Sequence, residues 1–198
     1  MPDLKIYCFT IKEYKILEKL PKYITPLGLG NNIFSNKYLD EKQGENICNL
    51  NNYYGEATGL YWIWKNEIKN MNKNNWVGTC NYRKLWLDER YNKKQKFSIS
   101  SLYSKLLQPN NEIFSISEAI QVQPIIFKKE TVLEQFEKVH GDNIIMQCSD
   151  FLDGQIKNDF RNYINQNSLS ITFFLTTSDI FNEYCNILFP WLEKCYEY

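Results

Sequence analysis

The residues with the most chemistry to offer are Asn81-Tyr82-Arg83-Lys84, which directly follow the apolar run Trp76-Val77-Gly78-Thr79-Cys80. A guanidinium beside an ammonium can hold a phosphate, Arg83 through two parallel hydrogen bonds and Lys84 as a point charge. Tyr82 adds a stacking face and a hydroxyl. The same four residues also suit a solvated loop, and spacing alone does not separate the two. Glu56 stands at the start of an aromatic helical pattern. It can act as a general base or bind sugar hydroxyls, though an acidic residue in a first turn also answers the helix dipole. The single histidine, His140, ends a helical segment, where a structural role is the commoner one. Asp150 and Asp153, three apart, offer oxygen ligands to a metal and equally make a solvated turn.

Other chemistries fall away on spacing. Cys8, Cys48, Cys80, Cys148, Cys185 and Cys195 are scattered, with no Cys-x-x-Cys pair, which argues against structural zinc. No elbow motif supports a Ser-His-Asp or Cys-His nucleophile. Gly28-Leu29-Gly30-Asn31 lacks the fixed neighbours of a phosphate loop.

These side chains need elements to position them. Lys5 to Ile11 is apolar, β-branched or aromatic and predicts a first strand. Lys12 to Leu20 predicts a short helix closed by Pro21, and Thr25 to Asn32, with Pro26, Gly28 and Gly30, predicts a loop. Phe34 to Leu50 is polar and reads as irregular. Between Asn51 and Asn66 a helix is expected, with Ala57, Leu60, Tyr61, Trp64 and Ile68 on its apolar face and Asn51 and Asn52 as caps. Trp62 points away from that stripe and asks for a second contact surface, another protein layer or a ligand. Trp76 to Cys80 predicts a buried strand, Glu89 to Gln95 a charged surface loop, and Ile120 to Ile126 a strand with Pro124 at an edge or bulge. Thr131 to His140 is helical, opened by a Thr131–Glu134 capping box and stopped by Gly141. Ser168 to Thr176 is β-like. Asp179 then caps a helix carrying Phe181, Tyr184, Leu188 and Trp191, kinked or restarted at Pro190. Strands and helices interleave, so the expected class is α/β. In open α/β sheets ligands bind beyond the carboxyl ends of the strands, where Asn81 to Lys84 fall.

The composition sets limits on partners. The 198 residues are 43% hydrophobic and 23% charged, a globular balance that fits one domain, 1–198. With 14 Tyr, 12 Phe and 5 Trp, ring surface can fill a core, and any surplus is available to stack on planar or sugar ligands. The 23 basic and 23 acidic side chains cancel, which argues against a nucleic-acid partner. Met1-Pro2-Asp3-Leu4-Lys5 is not a secretory leader, and no apolar run is long enough to span a bilayer. A cytoplasmic protein with reduced thiols is expected. The aromatic final helix raises peripheral association with the inner membrane face, against the simpler reading that it packs on the core.

Gly44-Glu45-Asn46-Ile47-Cys48-Asn49-Leu50-Asn51-Asn52-Tyr53-Tyr54-Gly55-Glu56-Ala57-Thr58-Gly59-Leu60-Tyr61-Trp62-Ile63-Trp64-Lys65-Asn66 resembles a signature of the domain of unknown function 4422 family. Trp76 to Lys84 resembles its second signature, a strand ending in Cys-His-Tyr-Arg-Arg. Lys5–Thr10, Tyr23–Gly30, Val132–His140 and Phe181–Phe189 extend the likeness along nearly the whole chain. The resemblance implies a GT-A-like nucleotide-diphosphosugar transferase fold, a mixed, mostly parallel sheet flanked by helices. It implies a glycosyltransferase of capsule or exopolysaccharide biosynthesis, moving a hexose such as galactose or galactofuranose to an oligosaccharide or lipid-linked acceptor. By motif match, Glu56 and Arg83 are the candidate catalytic residues. Thr10, Asn51, Tyr61, Trp64, Lys65, Asn81, Tyr82 and Lys84 are the candidate donor-binding residues, with His140 as a further candidate. Asn81 replaces a family histidine, Ile11 another, Ser170 to Phe174 diverges, and the family's C-terminal tail is absent, so a shortened or non-catalytic sugar-binding member is the alternative. A divalent cation, manganese or magnesium, serves many such folds through Asp-x-Asp, a motif this sequence lacks. Arg83 and Lys84, with help from Lys65, are expected to meet the diphosphate charge in its place.

Overall fold

The structure, a computed structural model, describes residues 3–88 and 99–198, the side chains of Ile99 and Ser100 excepted. The expected loop at Glu89–Gln95 lies outside the described residues. The first strand, β1 (Leu4–Thr10), is buried at every position from Ile6 to Thr10. A strand apolar on both faces has to lie inside a sheet covered on both sides. β2 (Ile24–Gly28) and β4 (Trp76–Asn81) accordingly pair with it in parallel, one on each edge. β3 (Leu39–Asp40) extends β2 in parallel, and β8 (Phe174–Thr177) runs antiparallel to β4. With β5 (Ala119–Gln121) the order is β3-β2-β1-β4-β8-β5. This is the expected α/β class, a mixed, mostly parallel sheet with helices. β6 (Ile125–Ile126) and β7 (Ser168–Leu169) form a separate antiparallel pair.

The helices are α1 (Asn51–Tyr54), α2 (Ala57–Asn66), α3 (Ile99–Leu102), α4 (Ile113–Ile116), α5 (Val132–His140), α6 (Ile144–Ser149), α7 (Gly154–Ile164) and α8 (Ser178–Glu197). Two compact units are distinguished. One, residues 1–120 and 173–185, holds the large sheet, α1 and α2. The other, residues 121–172 and 186–198, buries Val132, Leu152, Ile164 and Phe189 and seats Trp191, whose Nε1 donates to Cys148 O at 2.7 Å.

Several local expectations change. Lys12–Leu20 yields only a 3-10 turn at Leu17–Lys19. The expected loop at Thr25–Asn32 begins as strand β2. Pro26 is tolerated there because β3 covers only Leu27 and Gly28, so no outer strand asks for its missing N–H. The helix from Asn51 to Asn66 is broken in two by Gly55, whose φ of 55° and ψ of −128° suit glycine alone. Asn51 is therefore a helical residue and no N-cap. The buried residues of α2 are Thr58, Gly59, Leu60, Trp62 and Ile63, while Tyr61 and Trp64 are half-buried. The surface Trp62 asked for is protein: its indole donates to Gln43 O at 2.6 Å. The Ile120–Ile126 strand divides around Pro124 into β5 and β6, and Ser168–Thr176 into β7 and β8. Pro190 sits within an unbroken α8. The Thr131–Glu134 capping box forms at α5 as expected. Among the described residues no helix is long and apolar enough to cross a membrane.

Gly78 marks where β4 meets β8 most tightly. A Cβ there would collide with Leu175 Cδ2 and stand 2.7 Å from Phe174 O. Gly78→Ala is expected to destabilise the fold by about 1–3 kcal/mol, the usual cost of overpacking, as read from urea denaturation. A change within about 0.5 kcal/mol would mean that this strand pair is looser than described.

Candidate functional site at the carboxyl edge of the sheet

The parallel register sets Phe9 beside Asn81, so β1 and β4 end at one edge. The ladder continues one step further, with Tyr82 N–H donating to Phe9 O at 3.1 Å. Asn81 to Lys84 then turn back on themselves. Asn81 N–H donates to Lys84 O at 3.2 Å and Lys84 N–H to Asn81 O at 2.9 Å. The Asn81 side chain, 5% exposed, uses both ends of its amide: Oδ1 accepts Arg83 N–H at 3.0 Å, and Nδ2 donates to Glu56 Oε1 at 3.0 Å. One neutral group thus ties the turn carrying Arg83 to the carboxylate at the head of α2. Arg83 and Lys84 are exposed, and among the described residues neither has a carboxylate partner.

The rest of this edge is held by short polar contacts. Thr10, buried at the end of β1, donates Oγ1 to Lys12 O at 2.5 Å. Asn51 Nδ2 donates to Gly55 O at 3.0 Å and to Thr58 Oγ1 at 2.9 Å, bracing the break that places Glu56. Tyr82 stacks on Tyr14 with 4.8 Å between centroids and 13° between planes. The structure therefore brings together Thr10, Asn51, Glu56, Asn81, Tyr82, Arg83 and Lys84.

It sets Tyr61, Trp64 and Lys65 apart from them. Lys65 is nine residues beyond Glu56, about 13 Å along a helix axis. There it pairs with Glu45 at 3.7 Å, which also accepts the Tyr61 hydroxyl at 3.2 Å, and lies 3.7 Å from the Trp64 ring centroid. Trp64 Nε1 donates to Asn182 Oδ1 at 2.9 Å. The expected help of Lys65 in neutralising a diphosphate held by Arg83 does not match this placement. His140 belongs to the other unit, exposed and packed on Phe136 at 4.4 Å. Asp150, in that unit too, pairs with Arg161 at 2.8 Å and Lys157 at 3.2 Å, and these cations hold its carboxyl below the usual range. Among the described residues no group of three or more His, Cys, Asp or Glu converges as metal ligands.

Sequence reasoning missed Glu41. Its side chain is fully buried, Oε1 accepts Gly30 N–H, and among the described residues Oε2 has no hydrogen-bond partner. Gly30, at φ 75°, packs against Asn51, so Glu41 sits one contact behind the residue that braces α2. Burial pushes its carboxyl above the ordinary glutamate value, against the opposing pull of the Gly30 N–H. No local signal marks it, because Asp40, Lys42 and Gln43 make the stretch read as solvated. Lys12, Tyr14 and Tyr38 were missed in the same way.

Comparison with known proteins adds a family and a fold. The profile of the family described as domain of unknown function (DUF4422) matches residues 5–197. The apo structure of the bifunctional glycosyltransferase WbbM is similar, with a TM-score of 0.73 at 21% identity over 98% of this chain. This chain spans 37% of that one. No curated protein sequence matches.

Glu41 gives a pH-dependent expectation. A carboxyl whose pKa is raised by folding favours the fold below its ordinary value, 4.5, and withdraws that stability as pH rises through the raised value. Glu41→Gln is therefore expected to melt near the wild type in acid and increasingly above it towards neutrality. A variant that instead loses ground as pH rises would show Glu41 to be held as a carboxylate.

Proposed function

The chain belongs to the domain of unknown function 4422 family, and from that premise we propose that it is a glycosyltransferase domain of the GT-A kind. It moves a hexose, galactose or galactofuranose in the family's manner, from a nucleotide-diphosphate sugar to the oligosaccharide or lipid-linked end of a growing surface polysaccharide. The observation that carries this reading is the Glu56–Asn81–Arg83 linkage: one amide binds the Glu56 carboxylate and the Arg83 backbone N–H at the carboxyl edge of parallel strands, and among the described residues the Arg83 guanidinium has no carboxylate partner. The similarity to WbbM, a glycosyltransferase, supports it at the level of fold.

In this reading Glu56 takes the proton of the acceptor hydroxyl as its oxygen bonds to the anomeric carbon. The bond from that carbon to the phosphate oxygen breaks, and its electron pair leaves with the nucleotide diphosphate. Arg83 and Lys84 meet the developing negative charge. Asn81, a group without a titrating proton, holds Glu56 in place and keeps the Arg83 turn closed. Thr10 and Asn51 shape the edge, and Tyr82 lines it. The donor set here is one carboxylate among cations, which does not suit manganese or magnesium with their demand for several oxygen ligands.

A second reading is a non-catalytic member that binds the nucleotide sugar. The observation favouring it is Asn81 itself, which stands at the family's histidine and takes up the carboxylate of Glu56.

The two are separated by screening UDP-, GDP-, CMP- and dTDP-sugars for thermal shift and then for transfer. A donor at about 100 times its dissociation constant adds about 2.7 kcal/mol of stability. A shift with one nucleotide class is expected, and Arg83→Ala is expected to cut the added stability to about 1.4 kcal/mol or less at the same donor concentration. Glu56→Gln is expected to keep the shift and lose transfer by about 100-fold or more. Binding without any turnover in the wild type would select the second reading, and a folded protein that binds no donor would sink both.

A further inference from the structure

Four side chains at the carboxyl edge form a single column. Lys12 Nζ lies 5.2 Å from the centroid of the Tyr14 ring, that ring stacks on Tyr82 at 4.8 Å, and Arg83 Cζ lies 5.2 Å from the Tyr82 centroid. Both ends are tied to the sheet. Tyr38, 6% exposed, donates its hydroxyl to Tyr14 O and accepts Tyr14 N–H, each at 2.9 Å. Tyr82 is anchored by its N–H on Phe9 O at 3.1 Å, and the Arg83 N–H by Asn81 Oδ1.

The charges in this column are unusual for a merely structural contact. Among the described residues neither Lys12 nor Arg83 has an acidic partner. Glu13, next to Lys12 in sequence, is the obvious counter-ion, yet its Oε1 accepts Ser35 N–H. Lys84 adds a third exposed cation one residue beyond Arg83. Like charges gathered on one edge raise its potential and draw an anion to it. A guanidinium already resting on a ring gives up less rotamer freedom when it grips that anion.

We infer that Tyr14 is the positioning residue for Arg83, acting through the Tyr82 ring, and that Lys12 is a further anion-binding cation of the same edge. The ligand is a diphosphate. The inference rests on the assignment of Arg83 to the donor diphosphate, and it extends the site from Thr10 at the end of β1 into the segment that follows. Tyr38 is the anchor of the column: it fixes the backbone of Tyr14 from the core, so ring and cation are placed before ligand arrives.

The test is calorimetric titration of the whole chain with inorganic pyrophosphate and with UDP and GDP, at two salt concentrations. Arg83→Ala is expected to weaken binding about tenfold or more, the scale of a charge-assisted contact. Lys12→Ala is expected to weaken it about fivefold and flatten the salt dependence, with Lys12→Arg restoring both. Tyr14→Ala is expected to weaken binding about fivefold at an unchanged salt slope, while Tyr14→Phe, which keeps the ring, binds as the wild type does. Should Tyr14→Ala fail to fold, Tyr14→Leu keeps the apolar bulk without the stack and carries the same expectation. Loss in Arg83→Ala with wild-type affinity in Lys12→Ala and Tyr14→Ala would overturn this inference and leave the donor assignment standing. Wild-type protein that binds none of the three ligands would overturn both.

Discussion

Everything at the candidate site follows from the parallel pairing of β1 on both its edges. A strand without a polar face has no stable place except the interior of a sheet, and parallel neighbours deliver their carboxyl ends together. The register that sets Phe9 beside Asn81 is fixed by side chains packed above and below it. Gly59 lets α2 approach Phe9, where a Cβ would stand 2.6 Å from the ring, and Gly78 makes room for Leu175. Slipping β4 by one residue would bury Tyr82 and turn Asn81 away from Glu56, so core and edge are specified by the same contacts.

The edge so formed is electrostatically lopsided. Its one carboxylate is held by an uncharged amide, and its cations rest on aromatic rings. Repulsion between such exposed cations is modest in water because solvent and salt screen it. The fold tolerates that repulsion and keeps its own acids elsewhere: Glu45 with Lys65, Glu67 with Lys5 and the Tyr7 hydroxyl, Glu13 with Ser35. With no ion pair to Lys12, Arg83 or Lys84 among the described residues, a phosphate can reach these cations without breaking one.

What was legible in the sequence was what is decided locally. The strand expected over Trp76–Cys80 and the capping box at Thr131–Glu134 depend on near neighbours, and both form, the strand one residue longer than expected. The alternation of elements likewise gave the α/β class. What sequence did not show was pairing across the chain. Glu56 meets Asn81 from 25 residues away, and Tyr14 meets Tyr82 from a different strand end. Helical periodicity placed Trp62 off the apolar stripe and so asked for a second covering surface on α2, but it did not say that this surface is protein. A motif shared along one stretch of chain does not say which end of a helix faces the site, and so Trp64 and Lys65, matched to the family signature with Glu56, lie apart from it. Glu41 was hidden by its polar neighbours, since burial of a lone carboxylate is a property of the assembled fold.

The outer edge of β2 carries a consequence of a different kind. Over Ile24 to Pro26 it offers no spare amide hydrogen: Ile24 turns its own back to Pro21 O at 2.8 Å, and Pro26 has none to give. Two molecules meeting edge to edge there would face acceptor against acceptor, with nothing to zip them together. A proline that reads in the sequence as a break in structure therefore closes the stretch of the β2 edge that β3 leaves uncovered.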